Sequence, residues 1–256
     1  MPIADIYQFP CLSDNFGVLI HDPASGETAA IDAPEAEAVR KALRDKGWTL
    51  SQILVTHHHA DHTDGILALK EETGARVTGP AGEAGKIKGL DRTVKEGDEV
   101  AVGGLKGHVI ETPGHTLGHI SYHFPAAEAV FVGDTIFSLG CGRVIEGDMQ
   151  MMWRSLSKLM KLPAGTALYC GHEYTKANAD FSLTIEPENA ELKARAEEVA
   201  RLRAESRPTL PTTIGRELAT NPFLRAASGA IRKRLGLESA EDWQVFAEVR
   251  ERKNRA

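Results

Sequence analysis

Four apolar runs in this chain end on a histidine or an aspartate. "QILV" leads into residues 56–65, THHHADHTDG; "HVIET" leads into Pro113, Gly114 and His115; "AVFV" leads into Gly133, Asp134 and Thr135; "ALYC" leads into Gly171 and His172. Runs of this length and aliphatic content predict strands. Strands that are apolar on both sides must be covered on both faces, so helices are expected to sandwich the sheets. Four rigid strand ends that each present an imidazole or a carboxylate are a means of gathering ligands into one site.

Ligand chemistry sorts the cluster at 56–65. Extended backbone past Val55 puts His57 and His59 on one side and His58 on the other. Asp61 and His62 are adjacent at the start of the next helix, where neighbouring side chains diverge, and they suit a second ion beside the first. Ions that close need a bridging anion, which Asp134 supplies. The expected sites are His57, His59 and His115 with Asp134, and Asp61, His62 and His172 with Asp134. Neither uses a thiolate, and mixed nitrogen and oxygen donors are typical of catalytic rather than closed structural metal. His21, His58, His108 and His123 are expected to be ordinary satisfied polar residues, while His119 is placed to orient a ligand rather than to be one.

The rest of the chain is organised around these strands. With 256 residues, 42% of them hydrophobic, it can bury one large core or two smaller ones. Up to about residue 172 short strand-like runs (16–22, 28–33, 52–57, 108–113, 119–124, 129–137, 167–172) alternate with helical periodicity over 35–47, 64–74 and 149–162. Beyond His172 only three of the 24 glycines remain, and charged amphipathic helices are expected over 188–206 and 239–255. The expectation is therefore two domains, 1–173 and 174–256. A formal net charge of −6 gives no general attraction to nucleic acid or anionic lipid, so neither is expected as a partner. No apolar run approaches a membrane span, no export signal is readable, and the odd, scattered set of three cysteines suits a reducing compartment. A cytoplasmic monomer is the expectation.

At the metal-type residues the sequence resembles the metallo-β-lactamase superfamily, whose hallmark T-H-x-H-x-D-H and later His, Asp and His are matched by Thr56, His57, His59, Asp61, His62, His115, Asp134 and His172. Within it, "DNFGVLIHD", "TPGHTLGHISY", "FVGDTIFSLGCGRVIEG", "YCGHEYTKANADF" and "TNPFLR" resemble, in order, segments of the glyoxalase II (hydroxyacylglutathione hydrolase) family. The resemblance implies an α/β fold, an αββα four-layer sandwich followed by a small all-helical C-terminal domain. It also implies two divalent ions, most simply zinc, with iron or manganese suited to the same donors. Carried over residue by residue, Arg143, Tyr174, Arg250 and Lys253 fall on glutathione-binding positions, the last two on the glycine carboxylate. Ile145 stands where the family commonly has a tyrosine, and isoleucine cannot make a phenol's hydrogen bond.

The implied activity is hydrolysis of S-D-lactoylglutathione to glutathione and D-lactate, the second step of methylglyoxal detoxification. A metal-bridging hydroxide would be the nucleophile, oriented by Asp61. A mononuclear iron dioxygenase acting on glutathione persulfide, on the same scaffold, is the rival. The superfamily's nuclease branch fits an acidic chain poorly. Cys141 is expected to be structural, and no Ser-His-Asp arrangement competes for the chemistry.

Overall fold

In the computed structural model, which describes residues 4–256, the chain divides into two units. The first runs to Glu111 and includes Thr116–Gly133; the second comprises Thr112–His115 and Asp134–Ala256. The first holds β1 (Asp5–Cys11), β2 (Asn15–His21), β3 (Thr28–Ile31), α1 (Ala36–Lys46), β4 (Leu50–Leu54), α2 (Ala60–Thr63), α3 (Ile66–Thr73), β5 (Arg76–Pro80), β6 (Arg92–Val94), β7 (Glu99–Val102), β8 (Leu105–Glu111), β9 (Ile120–Phe124) and β10 (Ala129–Phe131). Strands β1 to β6 form one sheet in chain order, antiparallel from β1 to β3 and parallel from β3 to β6. Strands β7 to β10 form an antiparallel meander.

Period-two alternation separates the layers. Ile53, Val55 and Val77 face Val39, Leu43, Ile66 and Leu69 of α1 and α3 in one buried core. Gln52 points to the opposite face, where its Nε2 donates to the carbonyl of Ala101 in β7 at 2.8 Å. Three layers follow in this unit: helices, mixed sheet, antiparallel sheet. Every residue of β2 and β3 is buried, as continuous apolar strands require. Helix α1 ends where Gly47 adopts φ 67° and its N–H caps the carbonyls of Arg44 and Leu43.

The second unit holds β11 (Ile136–Phe137), β12 (Gly140–Cys141), α4 (Met149–Leu159), β13 (Ala167–Tyr169), α5 (Thr175–Ile185), α6 (Ala190–Ala204), β14 (Thr212–Thr213), α7 (Ile214–Thr220), α8 (Gly229–Leu235) and α9 (Asp242–Asn254). Asp148 caps α4 by accepting from Met151 N, and Trp153 of α4 packs on Phe246 of α9. Several details depart from the sequence reading, and β1, β5, β6, β7, α7 and α8 were not among the expected elements. The run 129–137 is not one strand: it breaks after Phe131, and at Gly133 the φ of 46° and the closeness of Thr56 and His119 to any Cβ both call for glycine. Residues 175–185, whose polar composition hides its period, form helix α5.

The two sheets of the first unit are tied by a buried hydrogen bond from Tyr122 Oη to the Val55 carbonyl at 2.8 Å. Tyr122→Phe leaves that carbonyl without its donor and is expected to lower unfolding free energy by about 1–2 kcal/mol. A denaturant midpoint equal to wild type would show that the bond contributes nothing.

Candidate metal centre

The donors in the first unit gather where β3 and β4 end. Asp32 follows β3 in the left-handed region at φ 58°, which aspartate tolerates better than most residues. There its Oδ1 accepts from Thr56 N at 2.7 Å, and its Oδ2 accepts from Thr56 Oγ1 and from His62 Nδ1, both at 2.8 Å. The Thr56 hydroxyl donates its one hydrogen bond to Asp32, so toward His57 Nδ1, 3.0 Å away, it acts as acceptor. His57 and His62 are therefore both protonated on Nδ1 when neutral, which leaves the Nε2 lone pair of each for a cation. Both rings are buried, with centroids 4.2 Å apart.

His57 Nε2 lies 3.2 Å from His59 Nδ1, so the first and third histidines of the run converge. His58 turns away, its Nδ1 2.9 Å from Oε2 of the buried Glu83. His59 is the N-cap residue of α2, and the first turn of that short helix carries Asp61 and His62. Asn15 Nδ2 donates to both the carbonyl and Oδ2 of Asp61, at 3.1 and 3.2 Å, and so fixes that carboxylate. His119 is fully buried and stacks on His57 with centroids 4.8 Å apart.

Within the second unit three more donors meet on one atom. Asp134 Oδ2 is 3.4 Å from His115 Nε2 and 3.3 Å from His172 Nε2. His115 Nδ1 donates to the Arg143 carbonyl at 2.8 Å, which again leaves Nε2 as the lone-pair nitrogen. A Cβ on Gly142 would overlap the Asp134 carbonyl oxygen, so only glycine lets the chain pass this close. His172 stacks face to face on Tyr174, centroids 4.7 Å apart, with Phe137 edge-on to both.

These separations fit a metal. Donors about 2.0–2.1 Å from a tetrahedral ion stand about 3.3 Å from one another. The His57 and His59 pair and both pairs on Asp134 have that spacing, and one Asp134 oxygen close to both His115 and His172 is compatible with a carboxylate that bridges through a single oxygen. All three cysteines are buried free thiols; burial pushes Cys11 up to about 12 and raises Cys141 and Cys170 as well, which disfavours the thiolate form.

The proposed substrate residues lie in the second unit. Arg143 is exposed, Ile145 is 52% exposed, and Tyr174 is 37% exposed. Arg250 is 5% exposed rather than solvated, with Nη1 on the Cys141 carbonyl, Nε on Asn254 Oδ1 and its plane over Phe223. Lys253 Nζ donates to the Ala177 carbonyl and sits over Phe181; burial and the Arg250 charge lower its pKa. Among the described residues neither cation has a carboxylate within ion-pair distance.

Two family models match this chain. The metallo-beta-lactamase superfamily model covers residues 14–172, and the hydroxyacylglutathione hydrolase C-terminus model covers 173–256. The chain is 57% identical over 253 residues to a protein of Brucella anthropi named hydroxyacylglutathione hydrolase, covering 99% of this chain and 97% of that relative. It is 59% identical over 250 residues to one of the same name from Brucella abortus strain 2308, covering 98% and 97%. This chain belongs to the hydroxyacylglutathione hydrolase family of the metallo-β-lactamase superfamily. Its fold is accordingly a metallo-β-lactamase domain followed by a helical C-terminal domain. Among solved structures, that of ETHE1 from Myxococcus xanthus is similar at 28% identity and a TM-score of 0.70, covering 98% of this chain and 91% of that one. The family and the histidine and aspartate clusters together make it a binder of divalent metal.

Asp32, Asn15 and Glu83 escaped the sequence reading. Asp32 carried a readable signal, since it follows the apolar run TAAI as Asp134 follows AVFVG. Asp32→Ala is expected to weaken metal binding by about 10- to 100-fold, because it frees two imidazoles at once. Chelator competition measures this; wild-type affinity in the variant would mean the imidazoles are held by other contacts.

Proposed function

We propose that this enzyme is a thioester hydrolase that cleaves S-D-lactoylglutathione and related 2-hydroxyacylglutathiones to glutathione and the hydroxy acid, the second step of methylglyoxal detoxification. The observation that carries the reading is 57% identity, over 99% of this chain, to a hydroxyacylglutathione hydrolase, in a chain that keeps every donor of the expected two-ion site. In this reading His57, His59 and His115 with Asp134 hold one ion, and Asp61, His62 and His172 with Asp134 hold the other. Zinc is the proposed metal, and iron or manganese suits the same donors.

Bound metal supplies an activated water and polarises the thioester carbonyl. The reaction forms one acyl C–O bond and breaks the C–S bond, and the glutathione thiolate leaves without a dedicated side-chain acid. Asp61, fixed by Asn15, accepts a hydrogen bond from the attacking water and so aims it. Tyr174, backed by His172, offers an exposed ring edge and phenol to the substrate, and Arg143 offers a guanidinium. Arg250 and Lys253 bind the glycine carboxylate; two cations three residues apart, without acidic partners, are matched by an arriving anion. Ile145 contributes apolar contact in place of a hydroxyl.

The proposed division of labour puts catalysis on 1–173 and substrate binding on 174–256. No helix of the described residues is long and apolar enough to cross a membrane, and the enzyme is proposed to act as a cytoplasmic monomer on this small thioester alone.

Hydrolysis of S-D-lactoylglutathione by protein of measured metal content tests the assignment. Turnover with two ions per chain is expected; one iron per chain with no thioester hydrolysis would favour the persulfide dioxygenase instead. Asp134→Ala is expected to remove metal and activity together, and a variant with both ions and full turnover would end the bridging assignment. Lys253→Ala is expected to raise KM by about tenfold with kcat retained, since a remote carboxylate is bound equally in ground and transition states. Unchanged kinetics would return Lys253 to a structural role.

A further inference from the structure

The hairpin formed by β11 and β12 is too short to hold its own shape. It pairs Ile136 with Cys141 and Phe137 with Gly140, and Gly142 N donates to Thr135 O at 3.2 Å to close its base. Isolated two-stranded hairpins are marginal in water even at greater length. Yet its tip, Leu139, is fully buried at φ 58°, a conformation unfavourable for leucine, and packs against Ala179 and Leu192.

What holds the hairpin is a set of side chains from the helical part of the chain. All five consecutive backbone carbonyls from Phe137 to Cys141 accept a side-chain hydrogen bond. Asn221 Nδ2 donates to Phe137 O at 3.2 Å and Gly140 O at 2.9 Å, and Asn178 Nδ2 to Ser138 O at 3.1 Å. Ser182 Oγ donates to Leu139 O at 3.0 Å and Arg250 Nη1 to Cys141 O at 2.9 Å. The buried carboxylate of Glu217 accepts from Leu139 N at 2.7 Å and Ser138 Oγ at 2.9 Å, and is itself tied to Thr212 Oγ1 and Asn221 Nδ2. Contacts made to backbone rather than to side chains set where the hairpin lies.

Both arms of this hairpin lead to the donor cluster. Asp134 lies two residues before β11, and Arg143, whose carbonyl orients His115, lies two residues after β12. A shift of the hairpin therefore moves a ligand and the orienting group of another ligand together. We propose that Asn178, Ser182, Glu217 and Asn221 are positioning residues of the metal centre: from α5, α7 and the residue after α7, they set the Asp134 carboxylate and the His115 ring through the hairpin between them. This rests on the metal-centre reading above and gives the segments "YTKANADF" and "TNPFLR" a task distinct from substrate binding.

The test uses the full chain with zinc or cobalt(II) alone as probe. Asn178→Ala and Asn221→Ala are expected to bind either ion at least about tenfold more weakly than wild type in chelator competition, the size of effect that loss of ligand-orienting contacts has. Their cobalt(II) absorption bands should shift, and kcat should fall with KM little changed. Glu217→Gln keeps an oxygen for Leu139 N and an amide for the hydroxyls, and should stay near wild type where Glu217→Ala does not. Ser228→Ala, which removes the cap of α8 and whose side chain bonds to Ile231 N and Glu186 rather than to the hairpin or α7, controls for stability. It should lower the melting temperature and leave affinity and spectrum alone. If the folded Asn178→Ala and Asn221→Ala proteins keep wild-type affinity and spectrum, or Ser228→Ala loses metal equally, the positioning role is overturned. A wild-type chain that binds neither ion would overturn the metal reading itself.

Discussion

Three hydrogen bonds on the Asp32 carboxylate govern the chemistry of the first cluster. An imidazole ligates through a lone pair only if its proton sits on the other nitrogen, and a buried ring has no water to arbitrate between tautomers. Asp32 decides the matter directly for His62 and, through the Thr56 hydroxyl, for His57. The same carboxylate binds Thr56 N, so the ends of β3 and β4 are locked to each other by the group that aims the rings. Burial makes this consequential. The low local dielectric strengthens each of these bonds and raises the cost of losing one.

The second cluster solves the same problem with backbone. The Arg143 carbonyl accepts a hydrogen bond from His115 Nδ1, so the orientation of that ring depends on main-chain position rather than on a carboxylate. Main-chain position is in turn a matter of packing, which explains why Gly142 passes hard against Asp134 and why the hairpin between them is gripped at every carbonyl. One cluster is built from local chemistry at strand ends, the other from tertiary contacts.

That difference also decides what could be read from the sequence. Strand ends and donor types were legible because hydrophobic runs have a period and because Asp-His pairs at a run's end are chemically specific. The helices expected over 35–47 and 188–206, found at 36–46 and 190–204, were legible from apolar spacing. Helix α5 was not, because its buried face includes Asn178 and Ser182, polar residues chosen for hydrogen bonds to another segment. The break at Gly133 was only half legible: the apolar run "AVFV" ends there, but the neighbours that leave no room for a side chain, Thr56 and His119, are distant in sequence.

Polar contacts across 40 to 110 residues of chain carry a physical cost, since each buried donor must find its partner or forfeit the energy of its lost hydration. The helical segment accepts that cost around one hairpin: Asn178, Ser182, Glu217 and Asn221 are all buried and all bonded to it. An apolar interface of the same size would hold the hairpin by area alone and tolerate small slips, because the hydrophobic effect is non-directional. Hydrogen bonds to five successive carbonyls do not tolerate slips, because a shift of one residue breaks all of them at once. Spending buried polar groups here is a choice of register over stability. A carboxylate oxygen that stands 3.3 and 3.4 Å from two imidazole nitrogens is the kind of group for which register matters more.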